Sequence, residues 1–254
     1  GKRILVPVDF SDYSLKACEI AIHYAAKADA EVMIMHAYFS PYFPSAIPLG
    51  DTMAYQANEE STRQMLERVQ QDMGTICTTI DEMMKEGKLP SVKYDYTLIG
   101  SVTGEVIEMN KAPVLAIPEN VPFTDLSNVK NIAFATSFSQ RDLVAFDRFM
   151  EVIKGYDVHI HLFNISTSRD EWNEIRLTGV HEYFKRQYKD ANITHTVLDD
   201  GDLLLAIEKF VRDKQIDLIA LTTYKRNILS RILNPCIAKR MLFHTDTPLL
   251  VMHA

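Results

Sequence analysis

"KRILVPVDFSDYSL" (residues 2–15) and "KNIAFATSFSQRDL" (130–143) are one pattern written twice. Each opens with an apolar run, passes through a turn of small residues and Phe-Ser, and enters a helical pattern. In the first copy Leu15, Cys18, Ile22 and Ala25 recur at helical spacing, which predicts an amphipathic helix over 12–27. Beyond the helices come "EVMIMHAYF" (31–39) and "DVHIHLFNI" (157–165), aligned with Val32 over Val158. Both are apolar runs of strand length, too short for an ordinary helix. Apolar strands alternating with amphipathic helices imply βαβ units and a parallel sheet buried on both faces. The expected fold class is therefore α/β, with two tandem parallel-sheet α/β sandwich domains.

The correspondence returns at the two C-terminal ends. "GSVTGEVIEMNKAPVLAIP" (100–118) lies over "PCIAKRMLFHTDTPLLVMH" (235–253), each a helix, a breaker with proline and a final strand. Between the halves, "ENVPFTDLSN" (119–128) holds a proline among polar residues, as a linker does. This places domain 1 at 1–122 and domain 2 at 123–254. The closing runs "PVLAIP" (113–118) and "PLLVMH" (248–253) would be exposed apolar edges if left alone. Pairing them within one chain would give an intramolecular pseudo-dimer, and a further homodimer of such chains is compatible with it.

The middle of the repeat is unequal. "YDYTL" (94–98) matches "THTVL" (194–198), yet Gly100 already matches Pro235. The first half thus lacks about 35 residues that the second carries as 199–234, a helix with Leu203, Ile207 and Phe210 on one face and a strand "IDLIALTT". Removing a central strand would strip its neighbours of ladder partners. The expectation is that such a piece belongs between Leu98 and Gly100 in the complete protein, the rival being a natural deletion. Conversely, residues 40–92 exceed their counterpart 166–192. They hold a proline-rich loop and then Met65, Val69 and Met73 at helical spacing, either one long helix or two with a break near Gly74.

Composition narrows the function classes. The chain of 254 residues carries a net charge of −7, which argues against nucleic acid as a main partner because phosphate binding needs a basic surface. No apolar run reaches the ~18 residues of a membrane span, so no membrane partner is expected. Cys18, Cys77 and Cys236 are odd in number and far apart, which reads as reduced thiols of a cytoplasmic protein.

"ILVPVDFSDYS" at the first strand-to-helix turn, "MIMHAY" in the second strand and the closing "GSV…APVLAIP" together resemble the universal stress protein family, twice over nearly the whole chain. The resemblance implies a five-stranded parallel sheet of the adenine nucleotide alpha hydrolase-like kind and a stress-response role. In many members ATP binds through a G-x2-G-x9-G-[ST] pattern. The chemistry of that pattern is backbone N–H groups turned toward phosphates where no Cβ intervenes, with the last Gly-Ser opening a helix. By resemblance, Pro7, Val8 and Asp9 sit at the adenosine end, with Asp9 on the base or ribose. Ala37 contacts adenine, and Gly100, Ser101 and Val102 close the phosphate site. The plainer reading makes Asp9 or Ser11 a helix N-cap and Gly100-Ser101 a turn.

The second half departs from the pattern. Thr222, Lys225 and Pro235 stand where the glycines belong, Cys236 where Ser or Thr belongs, and Ser137 where the first half has Asp9. Proline has no N–H to donate. The expectation is ATP, or a related nucleotide, in the N-terminal domain alone. A ligand-free interaction scaffold is the alternative. With no general base or metal set in view the chain reads as a binding protein rather than an enzyme, a weak ATP hydrolase being the rival. His159 and His161 share a strand face, but no third ligand stands at metal-binding spacing. Asp199, Asp200 and Asp202 around Gly201 read as a turn. Trp172 lies in an amphipathic helical stretch whose default role is core or interface packing.

Overall fold

The computed structural model describes residues 1–38, 52–100, 112–136, 139–166, 171–199, 203–222 and 246–252. The chain divides into two compact units, Gly1–Asn110 and Lys111–Ala254. In unit 1, β1 (Lys2–Pro7), α1 (Asp12–Ala28), β2 (Ala30–Tyr38), α2 (Thr52–Lys85) and β3 (Tyr94–Gly100) follow in order. The strands form a parallel sheet, β1-β2-β3.

Helix α1 contains neither glycine nor proline, and Asp12 in its first turn and Lys27 in its last complement the helix dipole. It stops at Asp29, which turns left-handed at φ 50° and donates its N–H to Ala25 O, so β2 begins at once. Its inner residues Cys18, Ala21, Ile22 and Ala25 meet Val6, Val8, Val32 and Ile34 of the sheet and Met73 and Ile80 of α2. Helix α2 is one continuous helix of 34 residues that passes through Gly74. Tyr94 ties α2 to the sheet, its hydroxyl donating to Asp81 Oδ1 at 2.6 Å and lying 3.0 Å from Cys77 O.

Unit 2 runs β4 (Val114–Ala116), β5 (Asn131–Ala135), α3 (Gln140–Val152), β6 (His159–Ser166), α4 (Glu171–Gln187), β7 (Asn192–Asp199), α5 (Leu203–Asp213), β8 (Leu218–Thr222) and β9 (Leu249–Met252). Its sheet order is β4-β9-β8-β5-β6-β7. One face is an aromatic core: Phe146 stacks on Phe184 at 3.7 Å between ring centres and meets Phe134 edge-on at 5.1 Å. The other face buries Ala133, Ala135 and Phe163 beneath Ile207, Phe210 and Val211 of α5. Parallel strands flanked on both faces are what the apolar strand runs predict.

Strand β4 pairs antiparallel with β9, Val114 opposite Val251 and Ala116 opposite Leu249. The two closing runs of the repeat thus do pair with each other. This also draws β4 into unit 2, so the contact boundary at 110/111 precedes the linker from which the sequence division at 122/123 was read.

The ladders correct two alignments. Arg3 pairs with Glu31 and Asn131 with His159, which puts Val32 over Ile160 rather than Val158. Val32 pairs with Tyr94 and Ile160 with Ile193, which puts Tyr94 over Ile193 rather than Thr194. Register is set by hydrogen bonds between strands, and runs of interchangeable apolar residues specify it weakly. Strand β5 is flanked by β6 and β8, whereas its counterpart β1 has only β2 beside it among the described residues. Leu5 of β1 is correspondingly exposed, and Ala133, in the same place on β5, is buried.

Candidate functional site

Parallel strands bring their carboxyl ends to one edge of the sheet, where an open α/β fold has its crevice. In unit 1 that edge collects Pro7 as the last residue of β1, Val8 and Asp9 just after it, Ala37 near the end of β2, and Gly100 as the last residue of β3. The ladder sets them side by side, with Pro7 opposite Met35, Ala37 opposite Ile99 and Tyr38 opposite Gly100. Ser101 and Val102 lie outside the described residues.

The turn after β1 is braced from three directions. Val8 donates its N–H to Met35 O at 2.8 Å, extending the ladder one step beyond the strand. His36 Nδ1 lies 2.7 Å from Val8 O, and the His36 ring packs on Phe10 at 4.3 Å between centres. Phe10 itself is left-handed at φ 62°, a conformation uncommon for a bulky side chain and held here by those contacts.

Asp9 is exposed at this edge, and one of its oxygens is fixed. Oδ1 accepts the Ser11 N–H at 3.0 Å and the Ser14 hydroxyl at 2.9 Å, while the Asp9 N–H lies 3.2 Å from Ser14 Oγ. The Ser11 hydroxyl, the Ser11 N–H and the Ser14 hydroxyl hold the carboxyl at a pKa of about 2, so it is anionic at every physiological pH. The N-cap of α1 is Ser11 and not Asp9. The carboxylate is thus held, charged and exposed just beyond the end of β1, and Ala37 of β2 is also exposed.

Unit 2 repeats this frame with altered chemistry. Thr136 donates its N–H to Phe163 O at 2.9 Å, and Asn164 Nδ2 donates to Thr136 O at 2.7 Å, as Val8 and His36 do in unit 1. Where Ser14 stands in unit 1, unit 2 has Asp142, buried in the first turn of α3. It accepts the Thr136 hydroxyl at 3.0 Å and lies 3.4 Å from Ser139 N. Beside it a groove of about 620 Å³ is lined by Thr136, Ser139, Asp142, Leu143, Arg176 and Tyr183. The Asp142 carboxylate already complements the helix start that would otherwise favour a phosphate. Thr222, at the first of the replaced glycine positions, closes β8 and is buried. Ser137, Lys225, Arg226, Arg231, Pro235 and Cys236 lie outside the described residues.

Sequence reasoning chose the backbone positions at this edge and missed the braces Ser14, His36 and Phe10. A signal was there for Ser14: a polar residue occupies that place on the inner helix face in both copies. His159 and His161 do share a face of β6, with rings stacked at 3.9 Å. His161 Nε2 lies 3.0 Å from Asn131 Oδ1, and burial together with His159 lowers its pKa to about 4. Among the described residues no group of three or more His, Cys, Asp or Glu could hold a metal ion.

Residues 1–95 match the universal stress protein family. The chain is similar in fold to a universal stress protein from Archaeoglobus fulgidus DSM 4304, at 13% identity and a TM-score of 0.62, covering 99% of this chain and 96% of that one. It is similar also to a protein of Pseudomonas aeruginosa UCBPP-PA14 assigned to the same group, at 13% identity and a TM-score of 0.52, covering 99% and 93%. No curated protein matches the chain in sequence. Among the described residues no helix is long and apolar enough to cross a membrane.

Proposed function

We propose, from the premise that residues 1–95 belong to the universal stress protein family and that the whole chain shares the fold of such proteins, that unit 1 is a cytoplasmic, stress-linked binding module for ATP or a related nucleotide. Unit 2 is its non-binding companion. The observation that carries this reading is the state of Asp9. Its carboxylate is ionised, held through Oδ1, and exposed just beyond the carboxyl end of β1. Such a group suits a ribose or base edge, which offers donors and no negative charge. In this reading Pro7 and Val8 belong to the adenosine side and Gly100, at the end of β3, to the phosphate side; Ser101 and Val102 are assigned to it by the family resemblance alone. Unit 2 supports the contrast, because a buried carboxylate occupies its helix start. The role proposed is binding rather than hydrolysis: the carboxylate that the described edge presents, Asp9, is already held by Ser11 and Ser14.

One observation favours the scaffold reading. Both partners of Asp9 Oδ1 come from its own turn, so the carboxylate could serve the turn alone. Calorimetric titration of the whole chain with magnesium-ATP separates the two. Binding at one site per chain is expected. Absence of heat and of any thermal shift would favour the scaffold, and two sites would refute the assignment of unit 2.

A further inference from the structure

Unit 2 takes no nucleotide in the reading proposed, yet it holds a groove of about 620 Å³ between α3 and α4. That is room for a small organic molecule. Its walls come from the two helices. Arg176, Gly179, Val180 and Tyr183 follow at helical spacing on α4, and Leu143 faces them from α3. Asp142 reaches the groove from the buried side. One residue past Tyr183, Phe184 stacks on Phe146 of α3 at 3.7 Å between ring centres, which fixes the two walls to each other.

Gly179 keeps the groove deep. It lies mid-helix, where glycine weakens a helix relative to alanine. Nothing lies within 4 Å of where its Cβ would stand, so no neighbour in the chain requires a glycine there. The space a side chain would fill belongs to the groove, and a flat group can lie there directly against the helix backbone.

The charges indicate the ligand. Arg176 is exposed on the groove wall and forms no ion pair among the described residues. A guanidinium presents a fork of donors that matches a carboxylate. The Asp142 carboxylate, on the inner side, repels any negative charge pushed deeper. The groove therefore suits a single anionic group at its rim and an uncharged body within, and it disfavours a polyphosphate. Leu143, Val180 and the ring of Tyr183 give that body apolar surface. We propose that this groove binds a small organic monocarboxylate with a flat or branched apolar body. The carboxylate lies on Arg176, and the body lies between Leu143, Val180 and Tyr183 against the backbone at Gly179. The site rests on unit 2 alone and is independent of nucleotide binding in unit 1.

The test is calorimetric titration of the whole chain with phenylacetate, benzoate and isovalerate, and with their amides, which keep the shape and lose the charge. At least one acid is expected to bind at one site per chain, and its amide roughly tenfold more weakly or worse. Arg176→Gln should weaken the acid by a similar factor. Gly179→Leu should abolish binding while holding or raising Tm, because leucine is the better helix former and its Cβ meets no atom within 4 Å. Gly179→Ala, which should weaken binding and also hold Tm, serves if the leucine variant misfolds. Absence of binding by every acid at millimolar concentration would overturn the proposal. So would a folded Gly179→Leu chain that binds as wild type does, or an amide that binds as well as its acid. Displacement of the acid by magnesium-ATP would put it in unit 1 and overturn the proposal too.

Discussion

Replacing Asp9 by Asn asks whether this carboxylate serves a ligand or only its own turn. Asn keeps a carbonyl oxygen at the position of Oδ1, so the bonds from the Ser11 N–H at 3.0 Å and the Ser14 hydroxyl at 2.9 Å can survive. It also tolerates tight turns well. What it removes is the negative charge and the second acceptor, because an NH2 donor now stands where Oδ2 was. If that oxygen accepts ribose hydroxyls, binding loses a charge-assisted hydrogen bond worth about 1.5–3 kcal/mol and gains a donor facing donors. Asp9 is exposed, so solvent screening places the loss toward the lower end, roughly tenfold in Kd. Stability should fall modestly, because the bonds that favour the ionised carboxyl, the Ser11 hydroxyl first, are weakened at an exposed and screened site. Isothermal titration with magnesium-ATP measures the first quantity and thermal unfolding the second. Unchanged affinity in Asp9→Asn, with weaker binding only in Asp9→Ala, would refute direct contact and reduce Asp9 to a brace for the turn.

Two further outcomes follow from packing and charge. Phe146→Ala removes the ring that stacks on Phe184 and abuts Phe134 and Phe149; it should cost about 3–5 kcal/mol, seen as a fall in Tm of ~10 °C by calorimetry. His161 has its folded pKa lowered to about 4 by burial, then by His159 and Lys214, against an ordinary 6.5. Between those values the unfolded chain binds the proton and the folded chain resists it, so the contribution of this group is complete above pH 6.5 and is lost as pH falls toward 4. His161→Gln should flatten the pH dependence of the denaturation midpoint in that window. An unchanged slope would mean that His161 is solvated.

Twofold repetition, the α/β class and the pairing of the last strands were legible in the order of residues. Each depends on local periodicity or on like matching like: an apolar run of strand length, a helical stripe, a proline before a closing strand. The candidate edge was legible as backbone positions, since a resemblance carries positions over one by one. Trp172 was legible as part of an amphipathic stretch, but its exposure was not, because periodicity does not say which apolar residues of a helix meet the core.

Tertiary structure decided whatever rests on contacts between residues far apart in the chain. It set Val32 over Ile160 and Tyr94 over Ile193, because ladder hydrogen bonds choose among registers that apolar runs leave nearly equivalent. It put His36 on the carbonyl of Val8, and Asn164 on that of Thr136 in the twin, a bond repeated although the residues differ. It also separated the two first turns, where Ser14 holds an exposed Asp9 in one copy and a buried Asp142 fills the helix start in the other. Sequence alone supplied two copies of one fold. Which copy exposes its carboxylate, Asp9, and which encloses it, Asp142, came from burial, which exists only once the chain has closed around those residues.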